Sequence, residues 1–126
     1  MTLLNNFPHT CSLYERRVTR SSRMGSSERL VRMETGVKCW VQNATQAEIT
    51  EYIRRDISVK NAIYFTSDWD LDETQYILIT AGPTHVSKLF AVKDFAERTA
   101  GRGVAWAAMA ENERSQKTLD EVNAID

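Results

Sequence analysis

Apolar residues in this chain mostly alternate with polar ones. Val37, Cys39 and Val41 share one face with Lys38 and Gln42 on the other, and Ile57, Val59, Ile63 and Phe65 keep to odd positions. A two-residue period puts one set of side chains on one face of a strand. Read this way, strands are predicted at 9–18, 30–42, 57–66, 76–80 and 85–93. The run 104–111 is ambiguous. Its Ala105, Ala107, Ala108 and Ala110 favour helix by propensity, but the Gly-Arg-Gly before it and Asn112 after it frame a short closing strand, which is the preferred reading. Only one segment opens like a helix. Thr45 and Glu48 make the T-x-x-E capping box, which predicts a helix at 46–55 ending at Arg54, Arg55 and Asp56. Five to six short strands, regularly punctuated, predict a mainly β fold, a small barrel or sandwich with one short helix.

The connections differ in character. Residues 19–29 are rich in Ser, Gly and Arg, with Met24 the one apolar residue, and predict a long flexible loop between the first two strands. Residues 67–74 (SDWDLDET) form an acidic turn, 81–84 a tight turn, and 94–103, with Gly101 and Gly103, a connection. After Asn112 the chain is polar until Leu119, Val122 and Ile125, whose spacing predicts a short helical segment able to dock. The expected organisation is a small β-barrel domain over 1–112 and a polar C-terminal tail over 113–126. A length of 126 residues suits one domain with its own core.

Charge is segregated. The net charge is −1, yet residues 1–38 hold seven cations against three acids, and the rest holds nine cations against fourteen acids. That distribution predicts one basic and one acidic end.

Residue types associated with chemistry occur without the context chemistry needs. Asp68, Asp70 and Asp72 alternate as in a calcium loop, but Glu73 stands where that loop needs Gly and Ile79 where it needs its final Glu. His9 and His85 have Ser12 and Ser87 nearby in sequence, but no nucleophile elbow surrounds either serine. Gly101-Arg102-Gly103 has no following Lys-Ser/Thr and reads as a turn. Cys11 and Cys39 lack CxxC spacing and lie in apolar runs, as reduced core thiols do. No enzyme, metal site or cofactor is expected. Neither a signal peptide nor a membrane span is visible, so synthesis in the cytoplasm and no membrane partner are expected.

Two features stand apart. One is the arginine group Arg16, Arg17, Arg20, Arg23 and Arg29, whose spacing fits either a solvated loop or contact with a polyanion, read through phosphates and not through bases. The other is the tryptophans. Trp40 is out of phase with Val37, Cys39 and Val41, so it faces away from their core. It either packs under the helix 46–55 or meets a partner. Trp69, in the acidic turn, is likewise a partner-interface candidate.

The order of segments resembles a known family. HTCSLYERR is followed by a polar loop, then K-C-W-V-Q, A-E-I-T-E-Y, I-Y-F, D-W-D-L-D, F-A-V and G-V-A-W. With Cys39–Gln42, Glu48 and Tyr52 as its centre, this pattern over about 7–112 resembles the head-closure (stopper, or head–tail adaptor) proteins of tailed bacteriophages. The segment 91–103 is longer and more charged than the family pattern, and the stretch after Glu111 is additional. The resemblance implies a structural subunit of the virion neck, in a homo-oligomeric ring, a dodecamer, between portal or adaptor proteins and tail proteins. It further implies that the loop between the first two strands enters the channel and touches packaged DNA non-specifically, with Arg20 and Arg23 nearest to it. Tail-terminator or tail-completion proteins and small nucleic-acid-binding β-barrels are the alternative readings.

Overall fold

The structure is a computed structural model that describes residues 7–21, 25–99 and 104–125. Its six strands are β1 (His9–Ser21), β2 (Gly25–Asn43), β3 (Asn61–Phe65), β4 (Gln75–Ala81), β5 (Leu89–Thr99) and β6 (Val104–Asn112). Helix α1 (Gln46–Arg54) lies between β2 and β3, and α2 (Gln116–Ile125) follows β6. The strands close into a barrel in the order β1-β2-β3-β6-β5-β4, every neighbouring pair antiparallel. The barrel form of the mainly β expectation is therefore the one adopted.

Alternation fills the interior. Cys11 and Leu13 from β1, Val37, Cys39 and Val41 from β2, Ile63 and Phe65 from β3, Ile77 and Ile79 from β4, and Phe90 and Val92 from β5 form one buried cluster. β6 contributes Ala108 and Ala110. Their small side chains make room opposite the aromatic ones, as small barrels require. That is why an alanine-rich run is a strand here despite its helix propensity. Cys11 and Cys39 are free and fully buried; their mutual hydrogen bond, together with burial, pushes the Cys11 thiol far up from its ordinary pKa.

Antiparallel order fixes which connections share an end. β1–β2, β3–β4 and β5–β6 connect at one end, and β2–β3, β4–β5 and β6–α2 at the other. β3 and β4 stand opposite each other in the ring of six. The acidic turn between them must therefore cross the barrel mouth. Leu71 is buried there and Trp69 packs against the same interior cluster, so the turn is a plug.

Helix α1 begins as its sequence implies, with Thr45 Oγ1 accepting from the Glu48 amide and the Glu48 carboxylate accepting from the Thr45 amide. Its Tyr52 is buried with Ala44, Val59, Ala62 and Met109, and the Tyr52 hydroxyl donates to the Asp94 carboxylate. Helix α2, in the stretch expected to be a polar tail, packs on the barrel. Its Val122 is buried with Tyr14, Leu30 and Leu89, flanked by Leu119 and Ile125.

Several expectations are corrected. The predicted flexible loop at 19–29 is mostly paired strand: β1 and β2 continue their ladder through Arg20↔Ser26 and Ser21↔Gly25, and only 22–24 lie outside the described residues. The predicted connection at 94–103 is likewise a continuing hairpin, with β5 and β6 paired through Thr99↔Val104 and 100–103 outside the description. β3 is shorter than predicted and β5 starts later, because 57–60 and 85–88 are not strand. Among the described residues there are two helices: the one counted for the fold, and α2, where the spacing of Leu119, Val122 and Ile125 predicts a short helical segment.

β2 leaves the barrel through two irregularities. Between Cys11↔Val37, Leu13↔Glu34 and Tyr14↔Arg32 it gains a residue twice, and such bulges bend a strand and raise its twist. Gly36 occupies the first at φ +68, with nothing within 4 Å of where a Cβ would stand. The demand is thus on the backbone alone. Gly36→Ala is expected to lower stability by about 1 kcal/mol, and Gly36→Asn by less, because Asn tolerates the left-handed region. Urea unfolding with an unchanged slope checks this; an unshifted midpoint for Gly36→Ala would remove the bulge from the argument.

Candidate functional site

The most distinctive surface is the part of β1 and β2 that no other strand flanks. β1 pairs with β4 only from Thr10 to Glu15, and β2 with β3 only from Cys39 to Asn43. The Arg16 amide still donates to the Thr74 carbonyl at 2.9 Å; otherwise, from Arg16↔Leu30 to Ser21↔Gly25 the two strands form a ladder with each other alone. Six residue pairs at about 3.4 Å per step make an arm of roughly 17 Å beyond the barrel wall.

The five predicted arginines separate on this arm. Arg16 and Arg17 are adjacent and so point to opposite faces. Arg16 faces α2: its Nη2 donates to Thr118 Oγ1 at 3.2 Å, its Nη1 lies 3.4 Å from Glu121, and its guanidinium stands 5.6 Å from the centre of the Tyr76 ring. Burial opposes its charge, but Tyr76 and Glu121 outweigh that and hold its pKa above the ordinary value. Arg16 is thus a brace between arm and helix, and its guanidinium is already committed. Arg32 assists by donating to the Ile125 carbonyl at 3.4 Å.

Arg17 and Arg29 are both exposed and stand directly opposite each other across the ladder. Like charges opposed on one face disfavour the pairing slightly. Arg17 is partly compensated by Glu15, 2.9 Å away. Arg20 stands further out, its backbone paired with Ser26; Arg23 lies outside the described residues. Val18, between Arg17 and the outer arm, is 55% exposed.

Trp40 faces outward from β2, as its phase implies, and is half-buried. It packs between Phe7 and Tyr64, ring centres 6.1 and 6.0 Å away. A chain segment preceding β1 therefore covers it. Trp69 has one face on the barrel interior, while the other helps line a cleft of about 110 Å³ with Leu13, Met33, Glu34, Leu71 and Gln75. Neither sequence position nor composition could have shown that cleft, which forms where the plug meets the base of the arm.

A buried polar cluster lies at the other end. His9 is 2% exposed. Its Nδ1 accepts from the Val41 amide at 3.3 Å, so Nε2 carries the proton and donates to Thr84 Oγ1 at 3.0 Å. Thr84 Oγ1 is also 2.8 Å from His85 Nδ1. The β4–β5 connection that holds these groups has His85 and Ser87 at positive φ, and Gly82 lies under the His9 ring. Among the described residues, no three His, Cys, Asp or Glu side chains group as metal ligands, and no helix is long and apolar enough to cross a membrane.

No family model and no curated protein matches this chain. It is similar in fold to protein SF1141 from Shigella flexneri 2a, a solution structure. The identity is 12%, the match covers 90% of this chain and 100% of that one, and the TM-score is 0.66. At that identity the likeness speaks for the barrel alone.

Burial, then the neighbouring His85, lower the His9 pKa below 6.5. The unfolded chain therefore binds the proton more readily, and stability falls as pH drops below about 6.5, by at most ~1.4 kcal/mol per pH unit, until the folded-state pKa is passed. NMR titration of the His9 ring is expected to give a midpoint below 6.5, and His9→Asn to flatten the acid limb of the stability profile. A midpoint at or above the ordinary value would contradict the burial argument. Gly82→Ala is a second check. Its Cβ would sit 2.5 Å from the His9 ring, and Gly82 has φ +144, so a loss on the order of 2–3 kcal/mol is expected, more than at Gly36. A loss no larger than that at Gly36 would mean that the ring yields freely.

Proposed function

We propose that this chain is a structural subunit of a tailed-phage neck, a head-closure protein that forms a ring between portal and tail and retains packaged DNA. The observation that carries the reading is the basic arm. A closed barrel supplies a rigid body, and one hairpin leaves it with Arg17 and Arg29 exposed and Arg20 further out. The resemblance centred on Cys39–Gln42, Glu48 and Tyr52 supports the same reading.

The arm suits a gate better than a stand-alone nucleic-acid binder. A few exposed cations bind duplex weakly, with a Kd on the order of 10⁻⁴ M or worse at physiological salt. Arranged around a ring, the same arms act on one DNA at a high effective concentration. Phosphate contacts ignore sequence, as a gate for any genome end must. Exposed aromatic side chains, which a single-strand binder uses for stacking, are lacking on the described part of the arm.

The test uses DNA-filled heads that lack their closure protein. Adding the wild-type protein is expected to retain the genome across a salt series. Arg20→Ser with Arg23→Ser is expected to leave folding and ring formation intact and to leak more DNA, the deficit growing with salt. Equal retention by the double variant at every salt concentration would show that the arm closes the channel sterically. Failure of the wild-type protein to join the heads would overturn the reading itself.

A further inference from the structure

Arg17 and Arg29 occupy one face of the arm, opposite each other in the ladder. The Arg16 amide donates away from β2, to the Thr74 carbonyl. In an antiparallel ladder the next pair, Arg17↔Arg29, is then one whose residues bond to each other, with Cα atoms about 5.5 Å apart. Two long side chains rooted that close can bring both guanidiniums to one oxyanion. Both residues are exposed. Among the described residues no hydrogen bond or ion pair engages Arg29. The register places Val18 and Arg20 on the other face, the one on which α2 braces Arg16. Arg17 already holds an oxyanion. Its Nε donates to Glu15 Oε1 at 2.9 Å, while its Nη2 reaches only the weak acceptor Met33 Sδ at 3.3 Å. Glu15 lies two residues back on the same face. Its Oε2 accepts from Gln75 Nε2 at 2.8 Å, and Gln75 Oε1 accepts from the Asp72 amide. Gln75 is buried, so the Glu15 carboxylate is anchored to the barrel rim while Arg17 belongs to the arm.

We propose that Arg17 and Arg29 form a clamp for one backbone phosphate of duplex DNA, with Glu15 as a built-in competitor that holds Arg17 until a phosphate arrives. This inference rests on the gate reading above and deepens it, naming a phosphate contact at the root of the arm and what regulates it. The ligand chemistry is a phosphodiester oxyanion, which the planar donor forks of two guanidiniums match. Glu15 shows that the site takes an oxyanion, and it takes it at one arginine only. An exposed pair of this kind is weak, so an anion that engages both arginines displaces it. Because the anchored carboxylate stays beside the clamp, it also limits how tightly a phosphate is held. That suits a gate that has to release a genome as well as retain it. Duplex is favoured over free phosphate because further phosphates of the same molecule then lie near the outer arm. The clamp is separate from Arg20, which stands on the other face, so the two contributions can be tested apart.

Anisotropy of a short fluorescent duplex, titrated with the full chain over a low-salt series, tests it. Arg17→Ser with Arg29→Ser is expected to weaken binding about tenfold at low salt and to flatten the slope of log K against log salt by about 0.9, the share of one phosphate. A flattening of about 1.8 would mean that the arginines take separate phosphates. That result, an unchanged slope, or a wild-type protein that binds no duplex even at low salt would each overturn the clamp. Glu15→Gln removes the charge and keeps an acceptor for Gln75. It is expected to tighten binding about threefold, and to do less when Arg17 is already Ser. An equal gain in both backgrounds would make Glu15 a general surface charge and overturn its role as competitor. Inorganic phosphate, followed through the Arg17 Nε–H NMR signal, is expected to bind far more weakly than duplex. Saturation by inorganic phosphate without duplex binding would make this a small-anion site and overturn the DNA assignment. If the clamp variants bind duplex like the wild type while the wild type retains DNA in heads, the clamp alone is wrong. If the clamp behaves as expected but the wild type does not join heads, the gate reading fails and the phosphate site stands.

Discussion

Closure of the sheet along the β1–β4 ladder is the constraint on which the rest of the molecule depends. From Thr10 to Glu15, β1 is hydrogen-bonded on both edges, to β2 and to β4. Closing a sheet removes its open edges and fixes the interior that Cys11, Leu13, Ile77 and Phe90 share. It also sets where β1 stops being wall. Past Glu15, β4 has ended; the Arg16 amide still donates to the Thr74 carbonyl, and beyond it the ladder with β2 continues alone. The arm is therefore an extension of the most constrained strand in the barrel. Its angle is set by the two bulges of β2 and by Arg16 on α2.

Closure likewise explains the plug. Because β3 and β4 are opposite one another, their connection has to traverse the mouth, where its apolar residues are buried and its polar ones stay wet. The alternation Asp68, Trp69, Asp70, Leu71, Asp72 does this in five residues: Leu71 and one face of Trp69 go inward, and the carboxylates point out. Several carboxylates also order the turn locally, Asp68 accepting from the Asp70 amide and Asp72 from the Thr74 amide. A sequence that resembles a calcium loop is thus used as a lid whose acidic pattern follows from facing water.

The sequence was legible where a strand faces the core, and opaque where backbone pairing acts alone. Val37, Cys39 and Val41 revealed β2, and the Leu119, Val122, Ile125 spacing revealed α2, because burial imposes a period on side chains. The arm is held by the main-chain pairing of β1 with β2, no apolar period marks it, and its Ser, Gly and Arg read as loop. β5 beyond Val92 was lost for a related reason: the register slips between Val92 and Asp94, which breaks the alternation there. Barrel and sandwich could not be told apart, since closure lies in the β1–β4 pairing and not in composition. At the site, the arginines were found as a group but not sorted. Which of Arg16 and Arg17 is braced against α2 depends on the face α2 covers, and α2 is about a hundred residues away along the chain.

That sorting has an energetic consequence for the proposed gate. Arg17 and Arg29 stand opposed across the ladder on one face of the arm, and such opposition mildly disfavours the pairing. Glu15 relieves part of it on the Arg17 side, where the guanidinium also reaches the Met33 sulfur. A phosphate beside the pair would relieve more. The gain per arm would be modest, because exposed pairs are individually weak and at 0.15 M salt the Debye length is about 8 Å. A single copy with such an arm would therefore hold DNA loosely. Were several arms gathered around one duplex, as proposed, the same weak contacts would add through their high effective concentration, so the proposed gate draws its strength from the number of arms and not from any one arginine.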